Sequence, residues 1–324
     1  MAKKKPTPKT TTKQTKKKDE ALDVIADNTK LKLKLIWKDI ETEYNRLLKS
    51  SAKNVKTEGF RKGKAPLKVA EKKIGKERLI NQVLETLIPS RYEKLIAQEK
   101  KQPLTQPQIS PISMDWGKDW ELEIQIAEQP ELDLKNYKKS VKKGLKEALK
   151  HLKEEAAAKK KEDSKNKTTK KTAPKKLTPT EVAAKEREHK LHHIFKELVA
   201  AIQPQIPELL LKEETKREIQ RMAKELEKMG LSLDDYLARK GEKFEDMSSQ
   251  VAAQVLGQLQ LEFILRAIEE KEKIEVTQKD QKAELAKIED KKMKEKIENN
   301  PQYLDHLSKQ ISRSKLIEQL LNLK

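Results

Sequence analysis

Residues 30–37, KLKLKLIW, alternate strictly, with Leu31, Leu33, Leu35 and Trp37 on one side and lysines on the other. That period of two is what a half-buried strand requires. It returns in DWELEIQIAE, where Trp120, Leu122, Ile124 and Ile126 share a face. QISPISMDW precedes this second run, and Gly117-Lys118 between them reads as the turn of a hairpin with Trp116 and Trp120 near its tip. Pro111 has no amide proton to give to a ladder, so its strand is an edge or carries a bulge. Three strands are expected.

Between the first strand and the hairpin the period lengthens to that of a helix. Residues 39–54 place Ile40, Tyr44, Leu47 and Leu48 on one stripe. A longer run from Pro66 to about Lys100 uses Ile74, Leu79, Ile80, Val83, Leu84, Leu87, Ile88, Tyr92, Leu95 and Ile96. Pro66 suits a first helical turn, while Gly75 and Pro89 bend or break the run. Strand, helix, helix, strand, strand predicts a small α+β domain. From about residue 179 onward the pattern is helical throughout. Gly230 reads as a helix stop, Ser232 with Asp235 as a capping box, and Met247, Val251, Val255, Leu259 and Phe263 as one face of a long helix from about 244 to 274. Thr277 caps a further helix that ends at NNPQ, and a last one runs to Leu323. No strand pattern follows residue 137.

Composition alters this picture mainly through its charge. The 324 residues carry a net charge of +20, with 39% charged and 4% aromatic residues, and the mean hydropathy is −0.91. Such numbers favour an extended, helix-rich protein with thin cores. Nearly all the excess is local: residues 1–18 hold 8 lysines and no acid, and residues 138–176 hold 16 lysines against 5 acids. Both stretches are poor in large apolar residues, so at least partial disorder is expected there. Cysteine is absent from the sequence, which excludes disulfides and thiolate metal sites. No run approaches the roughly 20 consecutive apolar residues of a bilayer span, and the basic N-terminus lacks the apolar segment of a signal peptide. A cytoplasmic location without membrane association is expected.

Candidates for catalysis are scarce. His189 and His193 stand four apart and could share a helical face, but no HExxH motif accompanies them, and Lys and Glu surround them. No nucleophile elbow or dinucleotide fingerprint occurs. Neither an enzyme, nor a cofactor, nor a metal site is expected. The sharper feature is EGFRKGKAP. A phosphate-cradling loop needs four residues between its glycines and a hydroxyl after its lysine; here only Phe60, Arg61 and Lys62 intervene, and Ala65 takes the place of the hydroxyl. Gly59 and Gly63 can instead hold a tight protruding tip. On that tip Phe60 would be an apolar plug, Arg61 a planar fork and Lys62 a point charge. Residues 53–78 hold 10 Lys/Arg against 3 acids, which suits docking on a phosphate-rich or acidic partner. An ordinary exposed basic turn is the alternative.

GFRKGKAP resembles the signature of the ribosome-binding tail of bacterial trigger factor. The likeness runs from about Lys30 to Tyr137, including QPELDLKNYK, and resumes from about 180, where IPELLLKEETKREIQRMAKEL, QLQLEFILRAIEEKEKIEVT and NPQYLDHL are similar to the arm helices of that family's substrate-binding domain. The resemblance implies a ribosome-binding set of Gly59, Phe60, Arg61, Lys62, Gly63 and Lys64, touching protein and RNA near the tunnel exit. It implies nascent or unfolded polypeptides as clients, and leaves a homodimer open for the free state. Full-length members carry a prolyl isomerase domain between the two halves; here the Lys-rich stretch 138–176 stands in its place, and no aromatic residue lies between Tyr137 and Phe195. Isomerase activity is therefore expected to be absent.

The expected organisation is a basic tail at 1–20, an α+β ribosome-binding domain at 21–137, a Lys-rich linker at 138–178 with some helix at its start, and a helical substrate-binding domain at 179–324. Its two arms, 207–276 and 277–324, would leave apolar stripes partly unpaired, with Leu209, Leu210, Met222, Met229, Met247, Leu261, Phe263, Leu304 and Leu307 as candidate client contacts; packing between helices is the competing role for each. The expected function is an ATP-independent chaperone that shields emerging chains. The alternative is an RNA-binding protein that grips phosphates through its lysine segments, with a steep salt dependence.

Overall fold

The structure is a computed structural model that describes residues 24–165 and 178–323. The expected tail at 1–20 lies outside the described residues. The chain divides into two compact units, one of Ala26–Gln129 with Pro207–Lys216, the other containing Pro130–Ile206 and Arg217–Lys324.

The first unit is the α+β domain. Strand β1 (Thr29–Leu35), helices α1 (Trp37–Ala52), α2 (Leu67–Ile74) and α3 (Lys76–Gln98), then strands β2 (Gln108–Ser113) and β3 (Trp120–Ile126) follow in order. The antiparallel sheet has β3 at its centre, between β1 and β2. Alternation decides its two faces. Leu31, Leu33 and Leu35 stand opposite Ile124, Leu122 and Trp120, while Lys32 and Lys34 stand opposite Glu123 and Glu121. One face therefore feeds the core and the other forms a cross-strand charge ladder. Ile40, Tyr44 and Leu48 of α1 and Leu79 and Val83 of α3 close the core over Trp120, Leu122, Ile124 and Ile126. Pro111 lies on an edge strand, and the register shifts between Pro111 and Ser113, so both effects expected of this proline occur.

Gly75, at φ 92, separates α2 from α3. Pro89, by contrast, sits inside α3 without ending it. Leu87, Ile88, Tyr92, Leu95 and Ile96 on either side pack against the core, and that packing outweighs the lost backbone bond.

The second unit is helical: α4 (Tyr137–Lys165), α5 (Pro179–Ile202), α7 (Leu233–Lys240), α8 (Phe244–Glu272), α9 (Gln278–Ala286), α10 (Lys291–Glu298) and α11 (Pro301–Leu321). Helix α6 (Glu208–Lys228) begins in the residues assigned to the first unit and ends in this one. Tyr137 and Val141 of α4, Ile194 and Leu198 of α5, Ile264, Leu265 and Ile268 of α8, and Leu316 and Leu320 of α11 form the main core. Leu285, Leu307 and Ile311 form a smaller one. Both predicted caps form, in different degree: Ser232 accepts from the Asp235 amide without the reciprocal backbone bond of the expected capping box, and Thr277 forms a full capping box with Asp280. The helix expected from Thr277 to NNPQ is interrupted, because the Asp290 carboxylate accepts from the amides of Lys292 and Met293 and starts α10. Helix α8 is long and apolar enough by length and composition to cross a membrane, although no run of consecutive apolar residues marks it; Ile264, Leu265 and Ile268 spend that apolarity on the core.

Two boundaries differ from those read in the sequence. The lysine-rich stretch expected as a linker is a helix as far as Lys165 and belongs to the helical unit, while 166–177 lie outside the described residues. Tyr137, Val141, Gly144 and Ala148 recur at helical spacing and are buried, a stripe of small and apolar residues that the lysines between them obscure. The pairing with α5 is close. A Cβ on Gly144 would lie 2.7 Å from the Ile194 Cα. The second difference concerns Pro207–Lys216, assigned to the α+β unit. There the Leu209 amide donates to Asn28 Oδ1 at 2.8 Å. In the otherwise helical second unit, the Ile206 amide donates to the Val24 carbonyl at 2.9 Å, an extended pairing with no counterpart in the sequence pattern.

Candidate functional site

The segment between α1 and α2 is built from two successive turns. The Phe60 amide donates to the Thr57 carbonyl at 3.2 Å, and the Lys64 amide to the Arg61 carbonyl at 2.9 Å. Gly59, at φ 78, and Gly63, at φ 75, hold the third position of each turn, where a positive φ favours glycine. Two four-residue turns end to end explain why the glycines are four apart. The root is fixed to the C-terminal end of α1 and the chain just after it: the Gly63 amide donates to the Val55 carbonyl at 3.4 Å, and a Cβ on Gly63 would stand 2.6 Å from the carbonyl oxygen of Lys53, the residue that caps α1. Gly59 has nothing within 4 Å of the same position, so the tip is open.

Phe60 is 43% exposed, and Arg61, Lys62 and Lys64 are exposed beside it. Among the described residues neither Arg61 nor Lys62 has an ion-pair partner. The six residues singled out in the sequence, Gly59 to Lys64, span the two turns, and all but the half-buried Gly63 are exposed. A brace that the sequence reading did not assemble supports the neighbouring helices. Trp116, from the hairpin tip, meets Trp37 and Tyr44 edge-on at 4.8 and 4.9 Å between centroids, and Lys76 Nζ lies 3.8 Å over its ring. Tyr44 Oη donates to Glu71 of α2 at 2.6 Å; burial first, and then this carboxylate, push the phenol above its ordinary range. The aromatic pattern near the hairpin turn was the available signal, but its partners come from distant positions in the chain.

The candidate client contacts fare differently. Leu209, Leu210, Met247, Phe263 and Leu307 are buried, while Met222, Leu261 and Leu304 are half-buried. Leu261 packs against the main helical core, and Leu307 belongs to the smaller one. In this conformation packing uses these side chains, as helical spacing alone could not decide. Met229 is the exception at 72% exposure. It follows α6 just before Gly230, which has φ 74 and ends that helix. Met293 and Tyr303 are among the other exposed apolar groups of the helical unit that the sequence reading did not select, with Leu149, Val182 and Phe244. Together with Ile288, Ile297 and Leu307, Met293 and Tyr303 line an open cavity of about 660 Å³ between α10 and α11.

His189 and His193 of α5 meet His151 of α4, with ring centroids 4.7 Å apart between His189 and His193 and 4.9 Å between His151 and His193. Burial chiefly, and then His189, His151 and His192, push the His193 imidazole below its ordinary range, with Glu147 opposing. Among the described residues no group of three His, Asp or Glu side chains is placed to hold a metal ion.

Two family descriptions match the chain: bacterial trigger factor protein over residues 16–162, and bacterial trigger factor C-terminus over 167–322. The chain belongs to the bacterial trigger factor family. Only residues 163–166 separate the two matches, at the point where the resemblance in the sequence places an isomerase domain in longer members. Trigger factor of Mycobacterium ulcerans is 31% identical over 105 residues, 32% of this chain and 22% of that protein. Trigger factor of Streptococcus pneumoniae is 35% identical over 99 residues, 31% of this chain and 23% of that protein. These matches thus span less than a quarter of the curated relatives. A solved structure of the trigger factor chaperone, described for promiscuous substrate recognition in folding and assembly, covers 93% of this chain and 99% of its own, with a TM-score of 0.60 and 12% identity. The trigger factor fold therefore extends over both units.

Proposed function

We propose that this trigger factor is an ATP-independent chaperone of the cytoplasm that docks on the ribosome near the tunnel exit through Gly59–Lys64 and holds unfolded segments on its helical unit. The carrying observation is the exposed Phe60 beside two cations without ion-pair partners, on a double turn rooted at the C-terminal end of α1. A folded core has no use for this arrangement; a surface that combines an apolar pocket with phosphate or carboxylate does. Burial of the exposed part of Phe60 in that pocket would be worth about 1 kcal/mol. Client contact in this reading falls on Met229 and on the cavity of Met293 and Tyr303, with Met222 and Leu304 contributing their free portions. Weak apolar contacts spread over helices favour unfolded chains by mass action and need no fuel. The reading includes no prolyl isomerase activity, because the family matches leave no domain-sized gap and residues 138–165 complete a helical hairpin.

Ribosome pelleting with Phe60, Arg61 and Lys62 replaced together by Ala tests the docking half, with loss of co-sedimentation as the expected result. Undiminished binding by a folded variant removes the claim. Suppression of aggregation of an unfolding client tests the other half, since Met229→Glu with Met293→Glu should weaken it while ribosome binding persists.

A further inference from the structure

Helix α4 carries Lys139, Lys142, Lys146, Lys150 and Lys153 at spacings of three, four, four and three. At 3.6 residues per turn these positions fall on one flank of the helix. All five are exposed. Two neighbouring lysines are already committed elsewhere: Lys138 pairs with Glu272 at 3.0 Å, and Lys143 with Glu197 at 2.8 Å. Within the stripe, by contrast, only Lys150 has a carboxylate in reach, Glu154 at 3.9 Å with both groups largely exposed. Among the described residues Lys139, Lys142, Lys146 and Lys153 have no ion-pair partner. Lys190 of α5 adjoins the stripe, sharing an open depression with Lys142 and Lys146. The helix is a rigid rod here, because its opposite face, Val141, Gly144 and Ala148, is buried.

We infer that this lysine stripe is a binding surface for the phosphate backbone of double-helical RNA, separate from the Phe60 loop. The rise of about 1.5 Å per residue spreads the five ammonium groups over about 21 Å, roughly one per 5 Å. A nucleic-acid strand presents its charges more densely, about one per 3.4 Å of axis, so each lysine finds a phosphate within reach of its flexible stem. Three features select this partner. The stripe has no aromatic side chain on which single-stranded bases could stack. It has no arginine to fork onto a carboxylate, so an acidic peptide would gain little geometric specificity. A bilayer needs a continuous apolar face to insert; the Val141 and Ala148 face of α4 is buried, and of the leucines beside the lysines Leu145, Leu321 and Leu323 are half-buried in the depression shared with Lys142, Lys146 and Lys190, leaving Leu149 alone exposed. An A-form duplex, read through backbone and shape, makes none of these demands; a DNA duplex of equal length, assayed alongside, is expected to bind more weakly, and equal affinity would overturn the assignment to RNA.

The test uses the full chain and a 20-base-pair RNA duplex of arbitrary sequence in filter binding over a salt series. The triple variant Lys142→Gln, Lys146→Gln, Lys150→Gln keeps good helix formers and should melt as the parent does. It is expected to bind at least tenfold more weakly at low salt, with a log–log salt slope shallower by about 2–3. The matching Arg triple should retain both affinity and slope. Equal affinity and slope for the Gln triple and the parent would overturn the inference, as would an equal loss of binding to anionic vesicles or to a polyglutamate peptide. The Phe60/Arg61/Lys62 alanine variant runs in parallel. Since the stripe stands apart from the docking proposal, that variant should retain duplex binding; if it alone abolishes binding while the Gln triple does not, the loop and not the stripe holds RNA.

Discussion

Gly144→Ala places two effects of opposite sign in one helix. Alanine in place of glycine within a helix ordinarily stabilises by roughly 0.5–1 kcal/mol. At this position, however, the new methyl would lie 2.7 Å from the Ile194 Cα, 2.8 Å from the His193 carbonyl oxygen and 2.9 Å from the Ile194 amide nitrogen, where ordinary contact starts at 3.4 Å. All three atoms are backbone, so no side chain can rotate away. Helices α4 and α5 must separate by roughly 0.5–1 Å, a gap that forfeits a quarter to a half of each dispersion contact along the seam. That seam includes Val141, Ala148, Ile194 and Leu198, all buried. Overpacking of this kind costs about 1–3 kcal/mol; with three backbone atoms under 3.0 Å the cost falls in the upper part of that range, about 2–3 kcal/mol, and set against the propensity gain leaves a net loss of about 1–2 kcal/mol. At about 2–4 °C per kcal/mol for a unit of this size, calorimetry should record a Tm lower by about 2–8 °C. Gly257→Ala in α8 provides the control: the position is exposed, with nothing within 4 Å of a Cβ, and its Tm should rise. If Gly144→Ala also raised the Tm, the close approach of the two helices would be refuted.

Three further outcomes follow from the geometry. Gly63→Ala combines φ 75 with a backbone clash, whereas Gly59→Ala meets only the strain of φ 78, about 1–2 kcal/mol; tryptic cleavage after Arg61 and Lys62 should therefore accelerate more in Gly63→Ala, and equal rates would contradict the root-and-tip description. The folded His193 pKa is depressed by burial and by His189 and His192 of α5 and His151 of α4, against Glu147 of α4; the unfolded chain then takes up protons first, so stability present above about pH 6.5 is lost as pH falls below it. The acid-side decline in Tm should be shallower in His193→Gln, and an identical profile would remove the histidine from the effect. The Asp280 carboxyl is lowered to about 2, first by Lys315 at 2.6 Å and then by the Thr277 cap. Its contribution is present above about pH 4 and lost as pH falls through about 2, and Asp280→Asn should flatten melting curves in that window.

Much of the fold was legible because the two periods are clean. Leu31 to Leu35 and Trp120 to Ile126 alternate without interruption, and the same residues form the inner face of the sheet. Caps were equally readable at Ser232 and Thr277, where a short polar side chain precedes a helical run. Asp290 escaped notice because lysines on both sides mask it as one more charge in a solvated stretch. Helix α4 was hidden for a related reason: sixteen lysines dominate the composition of 138–176, while the Tyr137, Val141, Gly144 and Ala148 stripe that folds it is sparse and made partly of small residues. The loop site was visible in its glycine spacing, since two turns demand two left-handed positions. Which apolar side chains stay exposed was not legible, because a leucine on a helical stripe has the same spacing whether its face meets another helix or solvent. Only three-dimensional packing separates Phe263 from Met229.

The placement of the indole rings gives the protein a built-in optical division. All three tryptophans, Trp37, Trp116 and Trp120, lie in the α+β unit, and none lies in the helical one. Trp120 is fully buried, whereas Trp116 is half open under the ammonium of Lys76. Intrinsic indole emission therefore reports on the unit that carries the Phe60 loop and is silent about the helical unit, which contributes most of the molecule's helical ellipticity. Divergence of the two signals during denaturation would reveal, without any label, whether the halves of the molecule melt together.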